Sequence, residues 1–205
     1  MNNTKVFGNT LINVPAPELV KNGLILSPKL NVYDREEERN KENASDIDRD
    51  VVLDILDDIH EDTNAKVLVS APNTRILWSM LAQTDIITEL KSRDYDIMHI
   101  TAKHGAYINR QKVRRDKFFD TLSQWGEDDD KKFILFHYSI LSEGINVRGL
   151  THSVLLRNLP VIEMAQTIGR VIRLHKYDYQ DIQNNKISAG DTESYRKPHG
   201  IIMSL

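Results

Sequence analysis

The sequence predicts an α/β protein whose core is a mostly parallel sheet covered by helices on both faces. Short apolar segments bounded by turn residues alternate along the chain with segments that carry apolar residues at helical spacing. The segments at 66–70 and 132–138 are mainly apolar without a polar alternation, as expected of strands that are buried on both faces. With 205 residues, 40% of them hydrophobic, the chain is long enough for one such core and at most a small appendage.

The first 45 residues predict an N-terminal extension that ends in an acidic linker. Prolines at the start and a glycine at the end bound a short helix at 15–23. Pro28 favours an edge position for the extended segment at 24–32, because proline lacks the N–H that a central strand needs. We also predict a strand at 6–14 and a solvated linker at 34–45, which is rich in glutamate and has no apolar period.

Residues 46–205 predict the main domain. The turn after the strand at 66–70 places Asn73 or Thr74 where a side chain can cap the next helix. In parallel sheets ligands bind outside the carboxyl ends of the strands, so the loops that follow them are the expected site. The predicted strands are 66–70, 96–101, 132–138, 153–157 and 200–204, and the predicted helices are 47–59, 76–90 and 109–124, with a surface turn at 126–130.

The segment 166–173 predicts an amphipathic helix with an unusual polar face. Four residues share that face: Gln166, Gly169, Arg170 and Arg173. The opposite face is apolar and holds Met164, Ile168, Val171 and Ile172. Two arginines a turn apart, beside a residue without a side chain, leave room for a polyanion to approach the backbone and be gripped. The alternative is an ordinary solvated face, and the segment taken alone leaves both readings open.

Composition limits the possible functions. The chain has no cysteine, which excludes disulfides and thiolate metal sites, and its histidines lack the spacing of a metal site. It has no apolar run of about 18 residues and no signal-peptide core at its start, so we expect a cytoplasmic protein without a membrane segment. The net charge is −3, but the stretch 103–117 holds six Lys or Arg and one acidic residue, which predicts either a solvated face or a phosphate-binding surface. Trp78 and Trp125 are expected to be packing residues, and the alternative is that they are platforms for base stacking.

Three blocks, in this order, resemble the second RecA-like domain of superfamily 2 helicases. They are Val67-Leu-Val-Ser-Ala-Pro-Asn73, Ser139-Ile-Leu-Ser-Glu-Gly-Ile-Asn-Val147 and Gln166-Thr-Ile-Gly-Arg-Val-Ile-Arg173, and the last matches the family's Q-x-x-G-R-x-x-R block without a gap. The resemblance covers about residues 66–174 and implies a three-layer α/β/α RecA-like fold. A weaker match over 7–30 is similar to the segment that joins the two motor domains in phage and type III restriction-like members.

The resemblance implies roles for individual residues. In these motors ATP lies between two RecA-like domains, and arginines of the second domain stabilise the charge on the transferring γ-phosphoryl group. The matching catalytic arginines are Arg170 and Arg173, and the matching nucleotide-binding residues are Gln166, Gly169, Gly144 and Asn146. The family commonly has aspartate at the position of Asn146, whose carbonyl oxygen can still accept a ribose hydrogen bond. The matching nucleic-acid-backbone residues are Ser70, Asn73, Thr101, Ser139 and Ser142, and their contacts would be independent of sequence.

Two motifs of a complete motor are missing. The sequence contains no G-x-x-x-x-G-K-[ST] loop to cradle the ATP phosphates, and no Asp-Glu pair follows a strand to hold Mg²⁺. We therefore expect the chain to act on nucleic acid, DNA rather than RNA, together with a phosphate-loop-bearing first motor domain on another chain. Whether the chain alone is an enzyme stays open. The alternative is a non-enzymatic nucleic-acid-binding or interaction domain derived from a helicase.

Overall fold

The computed structural model, which describes residues 14–33, 38–59, 64–138, 147 and 149–204, places helices on both faces of one eight-stranded sheet. The predicted three-layer α/β/α class with a mostly parallel sheet is confirmed. The strands are β1 Ser27–Val32, β2 Lys66–Ser70, β3 Asp96–Thr101, β4 Gly105–Ile108, β5 Gln111–Val113, β6 Phe133–His137, β7 His152–Leu155 and β8 His199–Ser204. The α-helices are α1 Ala16–Lys21, α2 Ala44–Asp58, α3 Thr74–Gln83, α4 Ile86–Ser92, α5 Arg115–Glu127, α6 Val161–Val171 and α7 Lys176–Gln183.

The strand order is β1-β8-β7-β2-β6-β3-β4-β5. The first six strands of this order pair in parallel, whereas β3, β4 and β5 pair antiparallel at one edge. The carboxyl ends of the parallel strands therefore lie along one side of the sheet, where the sequence predicts the site. The strand that contains Pro28 is at the opposite edge, as predicted.

Alternate residues of the central strands pack on opposite faces. Val67 and Val69 of β2 join the core formed with α2, α3 and α4. Leu68, between them, joins a second core with Phe118 and Leu122 of α5. Successive side chains of these strands point to opposite faces, and both faces are buried. The sequence of each strand is therefore a continuous apolar run. The helix α6 packs on the same side as α5, since Val171 lies in the second core.

The predicted helix at 109–124 is wrong in its first part. Residues 105–113 form the β4–β5 hairpin, and the helix begins at Arg115. The two turn residues, Asn109 and Arg110, have φ angles of 47° and 71°. The Asn109 amide holds the turn, because it accepts from the backbone N–H of Ile97 at 2.9 Å and donates to the Asp96 carboxylate at 2.6 Å. Left-handed conformations at both turn positions match the twist of a two-residue hairpin and are incompatible with a helix.

The predicted helix at 76–90 is divided into α3 and α4. Thr84 is extended, and its hydroxyl donates to the Met80 carbonyl at 2.6 Å and accepts from the Ile86 N–H at 3.3 Å. The hydroxyl thus bonds backbone groups on both sides of the break.

The N-terminal predictions are only partly described. The helix predicted at 15–23 is observed as α1, and Gly23 follows it with a φ angle of 63°. Most of the strand predicted at 6–14 lies outside the described residues. Because β1 pairs with β8, residues 27–32 belong to the main sheet, and the division at residue 45 stays a prediction. Among the described residues no helix has both the length and the apolar character needed to cross a membrane.

Candidate functional site

Two strand ends bring a serine and a histidine together. Ser70 and His137 are the last residues of β2 and β6, and they are register partners in the parallel pair. The Ser70 hydroxyl oxygen lies 3.0 Å from Nε2 of His137, and both residues are buried. Because they alternate with Val69 and Phe136, which pack on the α2 side, they face the layer that contains α5 and α6.

His137 is held neutral. Burial, together with the positive charges of Arg170 and Arg157, lowers its pKa to about 3. Both effects disfavour a second proton on the ring, so at pH 7 the ring carries one N–H donor and one acceptor nitrogen. Arg170, the first arginine of the predicted pair, therefore lies close enough to His137 for its charge to act on the ring.

Arg170 departs from the predicted exposed face of the arginine helix. It is 6% exposed and follows the buried Thr167 by three residues, on the side of α6 that faces the sheet. The helical wheel places polar residues toward water, but the Arg170 side chain is buried and lies close enough to His137 for its charge to lower the pKa of that ring. Burial and the charge of Arg173 lower the Arg170 pKa. The two guanidiniums therefore repel one another, and an anion beside them would relieve that repulsion.

Arg173 lies beyond the end of α6, and its backbone is fixed by a buried lysine. Nζ of Lys197 donates to the carbonyl oxygens of Val171 at 2.6 Å and of Arg173 at 2.9 Å. Burial is the main cause that lowers the Lys197 pKa to about 7. Asp178 holds the lysine segment, since its carboxylate accepts from the backbone N–H of Lys197 at 3.2 Å. Lys197 thus satisfies the last carbonyl of α6, that of Val171, and the carbonyl of Arg173 just beyond the helix.

The helix end lies near the amino ends of two strands. Leu26, just before β1, donates its backbone N–H to the Ile172 carbonyl at 2.8 Å. A Cβ on Gly200, the second residue of β8, would lie 2.7 Å from the Val171 carbonyl oxygen. The helix α6 therefore starts after the carboxyl end of β7 and runs back across the sheet.

Gly169 leaves open space beside the arginines. A Cβ added to it would have no heavy atom of the described residues within 4 Å, apart from its own helix backbone and chain neighbours. The neighbouring Gln166 is exposed. The backbone of α6 is thus accessible on this side, as a closely approaching polyanion requires.

Sequence reasoning missed an ion pair next to this site. Arg157 donates from Nη2 to the Glu163 carboxylate at 2.7 Å, and its guanidinium carbon lies 5.0 Å from the centre of the Tyr138 ring. Arg157 stands directly before the Asn158-Leu-Pro loop that the strand-end rule singles out, which is the signal that could have found it. Glu163 belongs to α6 and Arg157 follows β7, so no periodicity within one element links the two residues.

The described residues among those predicted to contact nucleic acid lie at the start of a helix or at the end of a strand. The side-chain Oδ1 of Asn73 accepts from the Ile76 N–H at 2.9 Å and so caps α3, as predicted. Thr101 is buried at the end of β3, where its hydroxyl accepts from the His104 N–H at 3.0 Å. Ser139, Ser142, Gly144 and Asn146 lie outside the described residues. Among the described residues no group of three His, Asp or Glu side chains is arranged to hold a metal ion.

The comparisons with known proteins identify relatives by structure. No protein-family model matches the chain, and no curated protein matches it in sequence. The ATP-dependent type ISP restriction-modification enzyme LlaBIII bound to DNA is similar over 99% of this chain and 17% of that chain, with 12% identity and a TM-score of 0.53. Domain 2 of the DEAD-box helicase Mss116p bound to an RNA duplex is similar over 87% and 54%, with 11% identity and a TM-score of 0.48. The C-terminal part of the Fun30 ATPase domain is similar over 82% and 44%, with 17% identity and a TM-score of 0.48.

The similarity to LlaBIII shows a shared fold, and it agrees with the predicted RecA-like fold class. The chain spans between 17% and 54% of the length of the solved structures named above.

Proposed function

We propose that this chain is the second motor domain of an ATP-dependent nucleic-acid helicase or translocase. In this proposal Arg170 and Arg173 stabilise the charge on the γ-phosphoryl group of an ATP that another domain holds. The observation that carries the proposal is the accessible backbone at Gly169 beside two arginines whose charges oppose one another. A γ-phosphate would fill that space and relieve the repulsion.

The first motor domain would come from another polypeptide or another part of a longer one. The sequence contains no phosphate-loop motif, so in this proposal the partner domain would cradle the phosphates and hold Mg²⁺. Gln166 and Gly169 would approach the nucleotide from this side, with Gly144 and Asn146 at the ribose. Ser70, Asn73, Thr101, Ser139 and Ser142 would contact the nucleic-acid backbone. We favour DNA, since LlaBIII shares the fold over nearly the whole chain and is bound to DNA. We also propose that the chain belongs to the phage or type III restriction-like branch of these helicases.

The test is ATP hydrolysis by the chain alone and after mixing with a phosphate-loop protein encoded beside it, with and without DNA. We expect no hydrolysis by the chain alone and DNA-stimulated hydrolysis by the pair. Arg173→Ala should lower the kcat of the pair by about 1,000-fold or more. The matched control is Arg49→Ala, because Arg49 lies on α2 on the opposite face of the sheet and pairs with Asp85 at 2.7 Å.

The alternative function, a non-enzymatic nucleic-acid-binding domain, gives a different pattern. In that case DNA binding persists while no phosphate-loop partner yields hydrolysis that depends on Arg173. Equal kcat values for Arg173→Ala and Arg49→Ala in an active pair would show that the arginine assignment is wrong.

A further inference from the structure

A cluster of four aromatic rings lies between α3 and the β3–β4 edge, away from the arginine helix. The ring of Trp78 on α3 stacks on His104, with centroids 4.1 Å apart and planes at 13°. The ring of His99 on β3 stacks on Tyr107 of β4, at 4.6 Å and 12°. Trp78 meets His99 and Tyr107 edge to face, at 6.1 Å and 6.0 Å. The two stacks thus stand at a steep angle to one another.

A cavity of about 270 Å³ opens beside this cluster. Its lining includes Trp78, His99, Tyr107 and Arg110, together with aliphatic side chains of α3 and α4. The volume lies just below the roughly 300–1,000 Å³ of sites for drug-sized ligands, so it suits one flat ring system. Trp78 and Tyr107 are partly exposed and can offer ring surface to a ligand.

Arg110 is the charged side chain of the cavity lining, and the Asp96 carboxylate lies at the base of the same hairpin turn, where it accepts from the Asn109 amide. Burial, together with the charge of His104, lowers the pKa of His99 to about 4, so this wall is neutral at pH 7. Arg110 is exposed at the mouth, on the hairpin turn that Asn109 holds. The stretch 102–115, which contains the hairpin, has five Lys or Arg and no acidic residue. A flat ring joined to an anionic chain fits this arrangement.

We propose that this cavity receives one unstacked base of a single nucleic-acid strand, whose phosphates follow the basic β4–β5 hairpin. Aromatic walls bind any base through its π-face, and a row of cations binds the backbone. A protein segment fits less well, because nothing in the lining offers the backbone pairing or the acidic partners that a mixed peptide would use. The inference deepens the nucleic-acid part of the proposed function and is independent of Arg170 and Arg173.

Trp78 itself reports on the occupant. The chain has two tryptophans, so a Trp125→Phe background leaves Trp78 as the sole indole. Titration with an oligothymidylate should quench its emission, whereas an abasic strand of equal length should bind more weakly and leave the emission unchanged. Tyr107→Leu should raise the Kd for oligothymidylate by roughly 5- to 150-fold, the range for losing one base–aromatic stack.

The variant Arg110→Gly tests whether the cation at the mouth of the cavity contributes to binding, without a loss of folding stability. The φ angle of 71° favours glycine, so this variant should be at least as stable as the wild type while the cation at the mouth is lost. We expect weaker binding and a shallower salt dependence. The control is Lys29→Ala, which removes an exposed cation from β1 at the opposite edge of the sheet and should leave the Kd unchanged.

Four results overturn the proposal. One is unchanged Trp78 emission at saturating oligothymidylate, and another is equal affinity for the abasic strand. In both cases the strand still binds, so the proposed nucleic-acid function stands while the base pocket fails. The third is quenching by an acidic phenylalanine-containing peptide but not by any oligonucleotide, which would make the cavity a peptide site. If no strand binds at all, the nucleic-acid part of the proposed function fails as well.

Discussion

Replacing Gly169 with alanine should stabilise the folded chain and at the same time impair it as a motor domain. Glycine in a helix interior costs about 0.5–1 kcal/mol relative to alanine, and Gly169 lies within α6. The added methyl group would meet no described heavy atom within 4 Å outside its own helix backbone and chain neighbours, so packing should not oppose this gain. For a chain of this size each kcal/mol raises the Tm by about 2–4 °C, so we expect a rise of about 1–4 °C.

The same methyl group would stand where the proposed γ-phosphate approaches the helix. We therefore expect the ATPase activity of the reconstituted pair to fall although the folded chain is more stable. Thermal unfolding followed by circular dichroism measures the first effect, and steady-state ATP hydrolysis measures the second. Gly200→Ala is the matched control for packing, because its Cβ would lie 2.7 Å and 2.8 Å from the carbonyl oxygen and carbon of Val171. That variant should lose about 1–3 kcal/mol of stability.

We expect Gly169→Ala to raise the Tm and to lower the rate of ATP hydrolysis by the reconstituted pair. A lower Tm would show that the space beside Gly169 is filled, and the packing of α6 described above would be wrong. A higher Tm with unchanged hydrolysis would show that no ligand comes close to this glycine, and the phosphate role of the arginine helix would lose its main support.

Three further predictions concern stability. Asn73→Ala should remove the cap of α3 and lower the free energy of unfolding by about 1 kcal/mol, measured by urea denaturation, whereas Asn73→Ser should restore most of it. Because His137 has a pKa of about 3 when folded and about 6.5 when unfolded, the unfolded chain binds more protons between these values. The contribution of His137 to the free energy of unfolding should therefore fall as pH drops from about 6.5 toward 3, by up to about 1.4 kcal/mol per pH unit. The slope of the free energy of unfolding against pH should flatten in His137→Asn. For Lys197 the folded pKa of about 7 lies below the unfolded value of about 10.4, so its contribution to stability should rise as pH is raised from about 7 to 10. Lys197→Met should lose this rise in urea denaturation series, and an unaltered slope would contradict the buried position of Nζ.

Local patterns in the sequence were sufficient for the central elements. The strands predicted at 66–70 and 96–101 are observed at the same residues, as β2 and β3. A continuous apolar run between turns is a property of neighbouring residues, and burial on both faces is the common reason for it. The cap at Asn73 was predictable for the same reason, since it bonds an N–H only three residues away. The edge position of β1 followed from the missing N–H of Pro28.

The hairpin β4–β5 was not predictable in this way. Its apolar residues also fit a helix, and the choice depends on Asn109, which bonds to Ile97 and Asp96 on the preceding strand. A pattern read along one segment does not contain a contact that lies 12 or 13 residues away. The aromatic cavity depends on this hairpin, because Tyr107 is brought beside His99 only by the pairing of β4 with β3.

The sequence by itself determined the fold class, the central strands and the choice of the arginine segment as the candidate site. Only the tertiary structure decided that Arg170 is buried near Ser70 and His137, and that Lys197 holds the backbone at Arg173. Helical periodicity shows which residues share a face of a helix, but it does not show which part of the protein that face contacts. In this chain the inward-facing Arg170 lies close enough to His137, itself bonded to Ser70, for its charge to act on the ring, so a charged side chain lies inward beside polar groups.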